Sequence, residues 1–418
     1  MMVRQQARLP KAPSLEGLPK RWRRAPRRWG HPLHSLCSYF AMFPPQVPHV
    51  FIRWLTKPGD VVYDPFSGRG TAPMEACRMG RVGVGSDANP LGYLLTAAKV
   101  DAPSTEEVRE RLHTLRQGCV LGDPQDAHED IRMLYSGRVL GQLLWLRRTL
   151  RLERRDDRFL MALVLGLMHA NYKPGRPIRG LSISMPNTFS MSAGYVRRYI
   201  DLHGLTPPDV DVFDLLDKKI DRLELPAASA VRGSAWQQDA REPLSGGIIG
   251  TPAKLVFTSP PYLGVIRYGK YNWIRLWMLQ EDPRKVDRAL VATGSLSRYV
   301  EFMKLVMEQL RAGVRQDGYL CLMVGDVYNR ASDSTTNLAT SVWERVAQPL
   351  GWHLHGVVTD RLPTQHKVSR IWNKGRGRAT KTDRVLILSP PGKSVQPLPG
   401  LGRIRWQPKP KWTLQGVH

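Results

Sequence analysis

Cysteine is scarce in this chain. Four residues in 418, Cys37, Cys77, Cys119 and Cys321, lie far apart, with none of the paired spacings that build a zinc knuckle or a disulfide framework. No metal site is expected, and the thiols are expected to be reduced. Long apolar runs are also missing. None approaches the roughly 18–20 residues that cross a bilayer, and the basic N-terminal stretch lacks the apolar core of a secretory signal. No internal repeat is visible. Acidic residues are few beside basic ones, 36 Asp and Glu against 62 Lys and Arg, which leaves a net charge of +26. An excess of that size points to a polyanionic partner. The hydrophobic fraction, 42%, is ordinary for a globular chain and sufficient for a large core.

Composition shifts divide the chain into five expected parts. Residues 1–30 are a basic, Pro-containing flexible arm in which Trp22 and Trp29 are interleaved with Arg. Residues 31–102 carry a strand–loop–helix–strand pattern. Residues 103–230 break that rhythm and read as helices, with Ser104 and Glu107 forming a capping box. The alternation resumes over 231–392, and a basic, Pro-rich tail occupies 393–418. The expected fold is α/β, a Rossmann-like mixed seven-stranded sheet with helices on both faces and a mainly helical insertion.

Two stretches carry chemistry. In the first, Val61-Val62-Tyr63 is a buried strand closed by Asp64, and Pro65-Phe66-Ser67-Gly68-Arg69-Gly70-Thr71 runs into a helix. A second strand ends at Asp87, 23 residues after Asp64. This is one nucleotide-binding βαβ unit, but its glycines lack the dinucleotide spacing. Gly68 and Gly70 allow close backbone approach because a Cβ would block it. Asp64 offers negative charge to a cationic ligand, and Asp87 stands where a carboxylate grips ribose hydroxyls. In the second stretch, the apolar run Leu255-Val256-Phe257 feeds into Thr258-Ser259-Pro260-Pro261-Tyr262. Two prolines fix φ and remove two donors, so the chain leaves the sheet abruptly and in one shape. Ser259 Oγ, the Pro260 carbonyl and the Tyr262 ring are thereby presented at the sheet edge.

The Ser-Pro-Pro-Tyr tetrapeptide resembles the catalytic loop of the DNA amino-methyltransferases, in which the Ser form is the usual mark of N4-cytosine enzymes. The Asp64–Thr71 segment resembles the S-adenosylmethionine loop of class I methyltransferases. His34–Pro45 and Asp87-Ala88-Asn89-Pro90 extend the likeness to bacterial site-specific DNA methyltransferases. It covers residues 34–100 and 236–390 well and the helical block only loosely. It implies S-adenosylmethionine as cofactor, held by Phe43, Pro44, Asp64, Pro65, Phe66, Gly68, Gly70, Thr71, Asp87, Asn89 and Asp239. Asp239 takes the position that meets the adenine amino group. The catalytic set is Ser259, Pro260, Pro261 and Tyr262. On the residues alone, Phe43-Pro44-Pro45 reads equally well as a core-packed turn, and Asp239 as a surface acid.

An exocyclic amine conjugated to a ring is a poor nucleophile. It needs acceptors that hold its hydrogens and aim its lone pair, a task suited to Ser259 Oγ and the Pro260 carbonyl, with Tyr262 stacked on the base. A target inside a base pair must be flipped out. The implied activity is transfer of a methyl group to cytosine N4 in a specific double-stranded DNA sequence. Adenine N6 or RNA as substrate on the same fold, and a DNA-binding protein without activity, are the alternatives. Tyr268, Lys270, Lys374, Arg376 and Arg378 are the expected DNA contacts, while Trp273 and Trp277 fit a helix core. The helical block is expected either to read DNA or to pad the core. The implied setting is cytoplasmic and nucleoid-associated, with a cognate restriction endonuclease as a candidate partner.

Overall fold

The computed structural model describes residues 30–39, 43–171, 177–185, 190–227, 230–244, 250–263, 267–290, 293–329, 334–361, 379–392 and 398–399. Helix α1 (Gln46–Leu55) precedes β1 (Val61–Asp64), α2 (Thr71–Arg78), β2 (Val82–Asp87) and α3 (Pro90–Val100). A helical block follows: α4 (Thr105–Gln117), α5 (Glu129–Arg132), α6 (Gly137–Thr149), α7 (Arg155–Leu167), α8 (Ala193–His203) and α9 (Val212–Ile220). The sheet resumes with β3 (Ser234–Gln237) and β4 (Ala253–Thr258). Three short helices come next, α10 (Tyr268–Tyr271), α11 (Trp273–Met278) and α12 (Pro283–Ala289), followed by the long α13 (Leu296–Gly313). The chain closes with β5 (Val314–Asn329), β6 (Ser334–Thr336), α14 (Leu338–Val342), β7 (His353–Arg361) and β8 (Ala379–Ser389).

The sheet order is β3-β2-β1-β4-β5-β8-β7, and the three-residue β6 pairs only with β5. The pairs from β3 to β5 are parallel, whereas β8 runs antiparallel to both β5 and β7. Seven strands therefore lie in line, with the order reversing at β1 and β4. In an open α/β sheet a ligand binds outside the carboxyl ends of the strands at such a reversal. Asp64 ends β1 and Thr258 ends β4, so both chemistry-bearing stretches open at that crevice.

Local signals fix the helix starts. Asn89 caps α3 through Leu91 N–H, with Pro90 in the first turn. Ser104 and Glu107 form the expected capping box on α4. The apolar pattern over residues 131–152 reads as one helix, but the structure divides it, because Ser136 caps a new start through Val139 N–H. One apolar cluster joins Leu91, Leu94 and Leu95 of α3 to Phe159 and Leu163 of α7, Phe213 and Leu216 of α9, and Ile274 and Leu276 of α11. The helical block thus shares a core with α3, which in turn packs on β2 and β3. A second cluster lies between the sheet and α13, and a third between the sheet and α1. Among the described residues, no helix is long and apolar enough to cross a membrane.

Candidate active site

The loop after β1 is held from several sides. Ser67 N–H donates to the Ser86 carbonyl at 3.0 Å, and Ser67 Oγ lies 2.8 Å from Thr96 Oγ1. Thr96 also donates to the Gly68 carbonyl at 3.2 Å, and buried Lys99 donates to the Arg69 carbonyl at 2.6 Å. Arg69 in turn donates to the His34 carbonyl at 3.1 Å. Gly68 and Gly70 adopt φ of +52° and +71°, the left-handed region that favours glycine. A Cβ on Gly70 would stand 2.8 Å from the Thr96 Cα, and one on Gly68 would stand 3.2 Å from the Tyr39 ring.

Two carboxylates flank this loop. Asp87 accepts from Gly68 N–H at 2.7 Å and from Asn89 N–H at 2.9 Å. Burial, only partly offset by these bonds, raises its pKa to about 6. Asp64 is fully buried and accepts from Thr258 Oγ at 2.6 Å and Phe66 N–H at 3.1 Å, both through Oδ1. Among the described residues, its Oδ2 has no hydrogen-bond partner. Burial raises its pKa to about 7, with the nearby Asp87 charge adding to the shift. A buried carboxylate with one oxygen unpaired among the described residues, beside a glycine cradle and a second carboxylate, fits a cationic ligand with a ribose. S-adenosylmethionine has that chemistry.

The Thr258–Asp64 bond ties the end of β1 to the end of β4, and Ser259 follows directly. Ser259 Oγ donates to Tyr262 OH at 3.4 Å, and Tyr262 OH donates to Asp383 Oδ1 at 3.4 Å. The Tyr262 ring lies against Gly325, where a Cβ would stand 2.7 Å from ring carbon Cε2 and 2.6 Å from the Asp383 carboxylate. Burial raises the Tyr262 pKa, and the Asp383 charge raises it further. The hydroxyl therefore keeps its proton near neutral pH.

Other expected residues fall in varied places. Phe43 packs edge-on against Phe257 of β4, centroids 5.3 Å apart, and Phe66 meets Phe302 at 5.9 Å. The Pro44 carbonyl accepts from Val47 N–H at the start of α1. Thr71 begins α2, and its hydroxyl accepts from Arg69 Nε at 3.3 Å. Asp239 follows β3, half-buried, with its carboxylate gripped by Arg241 at 2.6 and 2.9 Å. The ring of Tyr268 stacks on Tyr39, centroids 5.9 Å apart, near enough to Asp87 to feel its charge. That places Tyr268 on the Asp87 side of the cleft. Lys270 is exposed, its Nζ 5.8 Å from the Tyr271 ring centroid. Lys374, Arg376 and Arg378 lie outside the described residues, as does nearly all of the 1–30 arm.

Two residues were not singled out in the sequence. Tyr39 takes a hydrogen bond from Asn89 Nδ2 at 2.9 Å and covers Gly68. Asp383 reaches Tyr262 only because β8 pairs with β5, placing it opposite Gly325. Among the described residues, no group of three or more His, Cys, Asp or Glu is arranged to hold a metal.

Strand order, the antiparallel β8 and the cleft between β1 and β4 together define the class I methyltransferase fold. Residues 14–97 match a family model described as DNA methylase. An 80-residue stretch, 19% of the chain, is 28% identical to the type II methyltransferase M.MjaII of Methanocaldococcus jannaschii and spans 15% of that protein's length. Among solved structures, the rRNA methyltransferase aviRa of Streptomyces viridochromogenes aligns over 88% of this chain and 92% of its own, at 12% identity and TM-score 0.34. The M protein of the type I restriction enzyme EcoKI aligns over 84% and 44%, at 13% identity and TM-score 0.28. At such scores neither structural likeness bears on chemistry.

Proposed function

We propose that this protein is a site-specific DNA methyltransferase that moves the methyl group of S-adenosylmethionine to the exocyclic N4 of a flipped cytosine. The observation that carries the reading is the Thr258–Asp64 hydrogen bond. It joins a glycine cradle with paired carboxylates to a Ser-Pro-Pro-Tyr turn at neighbouring strand ends. The match of residues 14–97 to the DNA methylase model supports DNA as the substrate.

In this reading Asp64 faces the positive end of the cofactor and Asp87 its ribose. Phe43, Pro44, Pro65, Phe66, Thr71 and Asn89 line or shape the same pocket, and Asp239 meets the adenine once released from Arg241. When bound, S-adenosylmethionine supplies an activated methyl on a positively charged sulfur. Ser259 Oγ and the Pro260 carbonyl accept the amino hydrogens of the target and aim its lone pair, Pro261 keeps the turn rigid, and Tyr262 fixes the plane of the base. Holding two reactants in that geometry supplies up to roughly 7–11 kcal/mol of the barrier reduction. Lys270 and the basic segment containing Lys374, Arg376 and Arg378 contact phosphates, a sequence-independent contribution to affinity. The likeness of the turn to the Ser form usual in N4-cytosine enzymes favours cytosine over adenine.

The test is to incubate the full chain with methyl-labelled S-adenosylmethionine and unmethylated bacterial DNA, digest the DNA to nucleosides and weigh them. N4-methylcytosine is the expected product. N6-methyladenine alone would move the reading to the adenine enzymes, and no labelled nucleoside would refute it.

A further inference from the structure

We infer that Asp383 on β8 ends a proton relay serving the Ser-Pro-Pro-Tyr turn, and so supplies the carboxylate that the turn itself lacks. The inference rests on the methyltransferase reading above and adds a residue to it. Ser259 is a poor proton sink on its own, because a protonated hydroxyl is strongly acidic. The amine must nevertheless lose one proton as it is methylated.

The structure offers a path. Ser259 Oγ donates to Tyr262 OH, and Tyr262 OH donates to Asp383 Oδ1, each over 3.4 Å. Both bonds point the same way, from the turn toward the carboxylate. Gly325 makes the arrangement spatially feasible. It faces Asp383 in the β5–β8 register, and any Cβ there would press within 2.7 Å of both the Tyr262 ring and the carboxylate. Asp383 is half-buried, so a proton received there has a way out to solvent.

The N4 lone pair forms the new N–C bond while the C–S bond breaks with its electron pair going to sulfur, leaving a neutral thioether and a positively charged nitrogen. That nitrogen gives a proton to Ser259 Oγ as the Ser259 proton passes to Tyr262 OH and the Tyr262 proton passes to the Asp383 carboxylate. Both hydroxyls end neutral, and the one proton lost by the amine rests on Asp383. Asp383 does not touch the substrate. It acts through Tyr262 and is a positioning and proton-accepting residue.

The test uses the full chain with labelled S-adenosylmethionine and unmethylated bacterial DNA under single-turnover conditions. Asp383→Asn is expected to slow methyl transfer by about 10²-fold, the scale of one acid–base contribution, with cofactor affinity by calorimetry and DNA affinity unchanged. Tyr262→Phe interrupts the same path without altering Asp383, and the double variant is expected to be no slower than Tyr262→Phe alone. Asp383→Glu is expected to recover part of the rate. A wild-type rate in Asp383→Asn, or losses that multiply in the double variant, would overturn the relay while leaving the methyltransferase reading intact. Loss of cofactor binding in Asp383→Asn would make the residue structural and also overturn it. If the unaltered protein transfers no methyl group to DNA, the parent reading fails and the relay fails with it.

Discussion

In the proposed reading, Asp64 is the residue on which cofactor binding turns. Its pKa is raised to about 7, chiefly by burial, so near neutral pH the folded protein holds it half protonated. The sign follows directly. A raised carboxyl favours the folded state at low pH, and that contribution is lost as pH rises from the unfolded value toward 7. A sulfonium beside it favours the ionised form and drives the proton off. Cofactor affinity should therefore climb with pH through about 6–7 and level off above. Calorimetry in buffers of different ionisation enthalpy should detect the released proton, and Asp64→Asn should abolish both effects. Affinity unchanged between pH 5.5 and 8 would contradict this.

The glycines make a second residue-scale comparison. Gly70 and Gly204 both adopt positive φ, but a Cβ at Gly70 meets the Thr96 backbone whereas one at Gly204 meets nothing within 4 Å among the described residues. Gly204→Ala should cost only the left-handed backbone penalty, about 1–2 kcal/mol. Gly70→Ala should cost more and also weaken cofactor binding, as thermal melts and calorimetry on the two variants would show. Equal costs would mean that the cradle is looser than the structure indicates.

At the scale of elements, the sheet and the helical block unfold together if they share a core as the packing indicates. Leu163 of α7 is fully buried in the cluster that includes Leu91 and Leu95 of α3. Leu163→Ala should destabilise the protein by about 2–5 kcal/mol and shift one cooperative transition to lower denaturant. Two separated transitions in the variant would show that the block is an independent unit.

Element by element, what could be read in advance followed the range of the interactions. The β1–loop–α2–β2 unit was legible because strand, glycine, helix and acid are all local signals within about thirty residues. The Ser-Pro-Pro-Tyr turn was legible because proline acts on its own backbone. β3 was hidden: Ser234–Gln237 is short and polar, and it is a strand only because β2 offers it an edge. The break at Ser136 in the expected 131–152 helix is a local cap that a smooth apolar pattern concealed. Asp383, in a polar stretch, gains meaning only through the β5–β8 register. Tyr39 does so only through contact with Asn89, Gly68 and Tyr268.

For the whole molecule, the net charge of +26 predicts how it would meet the proposed DNA substrate. Each phosphate neutralised releases counterions, so affinity should fall linearly in log–log salt plots. Six to ten such contacts correspond to a loss of about 10³–10⁵ between 50 and 200 mM salt. Removing residues 1–30 should flatten that slope without altering which nucleoside is methylated. Fluorescence anisotropy on a labelled duplex across a salt series would measure it, and an unchanged slope would take the arm out of the interface.

The central claim is that a donor bed and a proline-stiffened acceptor turn face each other across one cleft. A crystal structure with S-adenosylhomocysteine tests it most directly. The claim predicts ribose hydroxyls on Asp87, the thioether sulfur over the Gly68–Gly70 loop beside Asp64, and Ser259 Oγ facing that sulfur across a gap that one flipped base can bridge. A ligand lodged away from Gly68, or a Ser259 hydroxyl turned from the sulfur with the cleft closed between them, would contradict it.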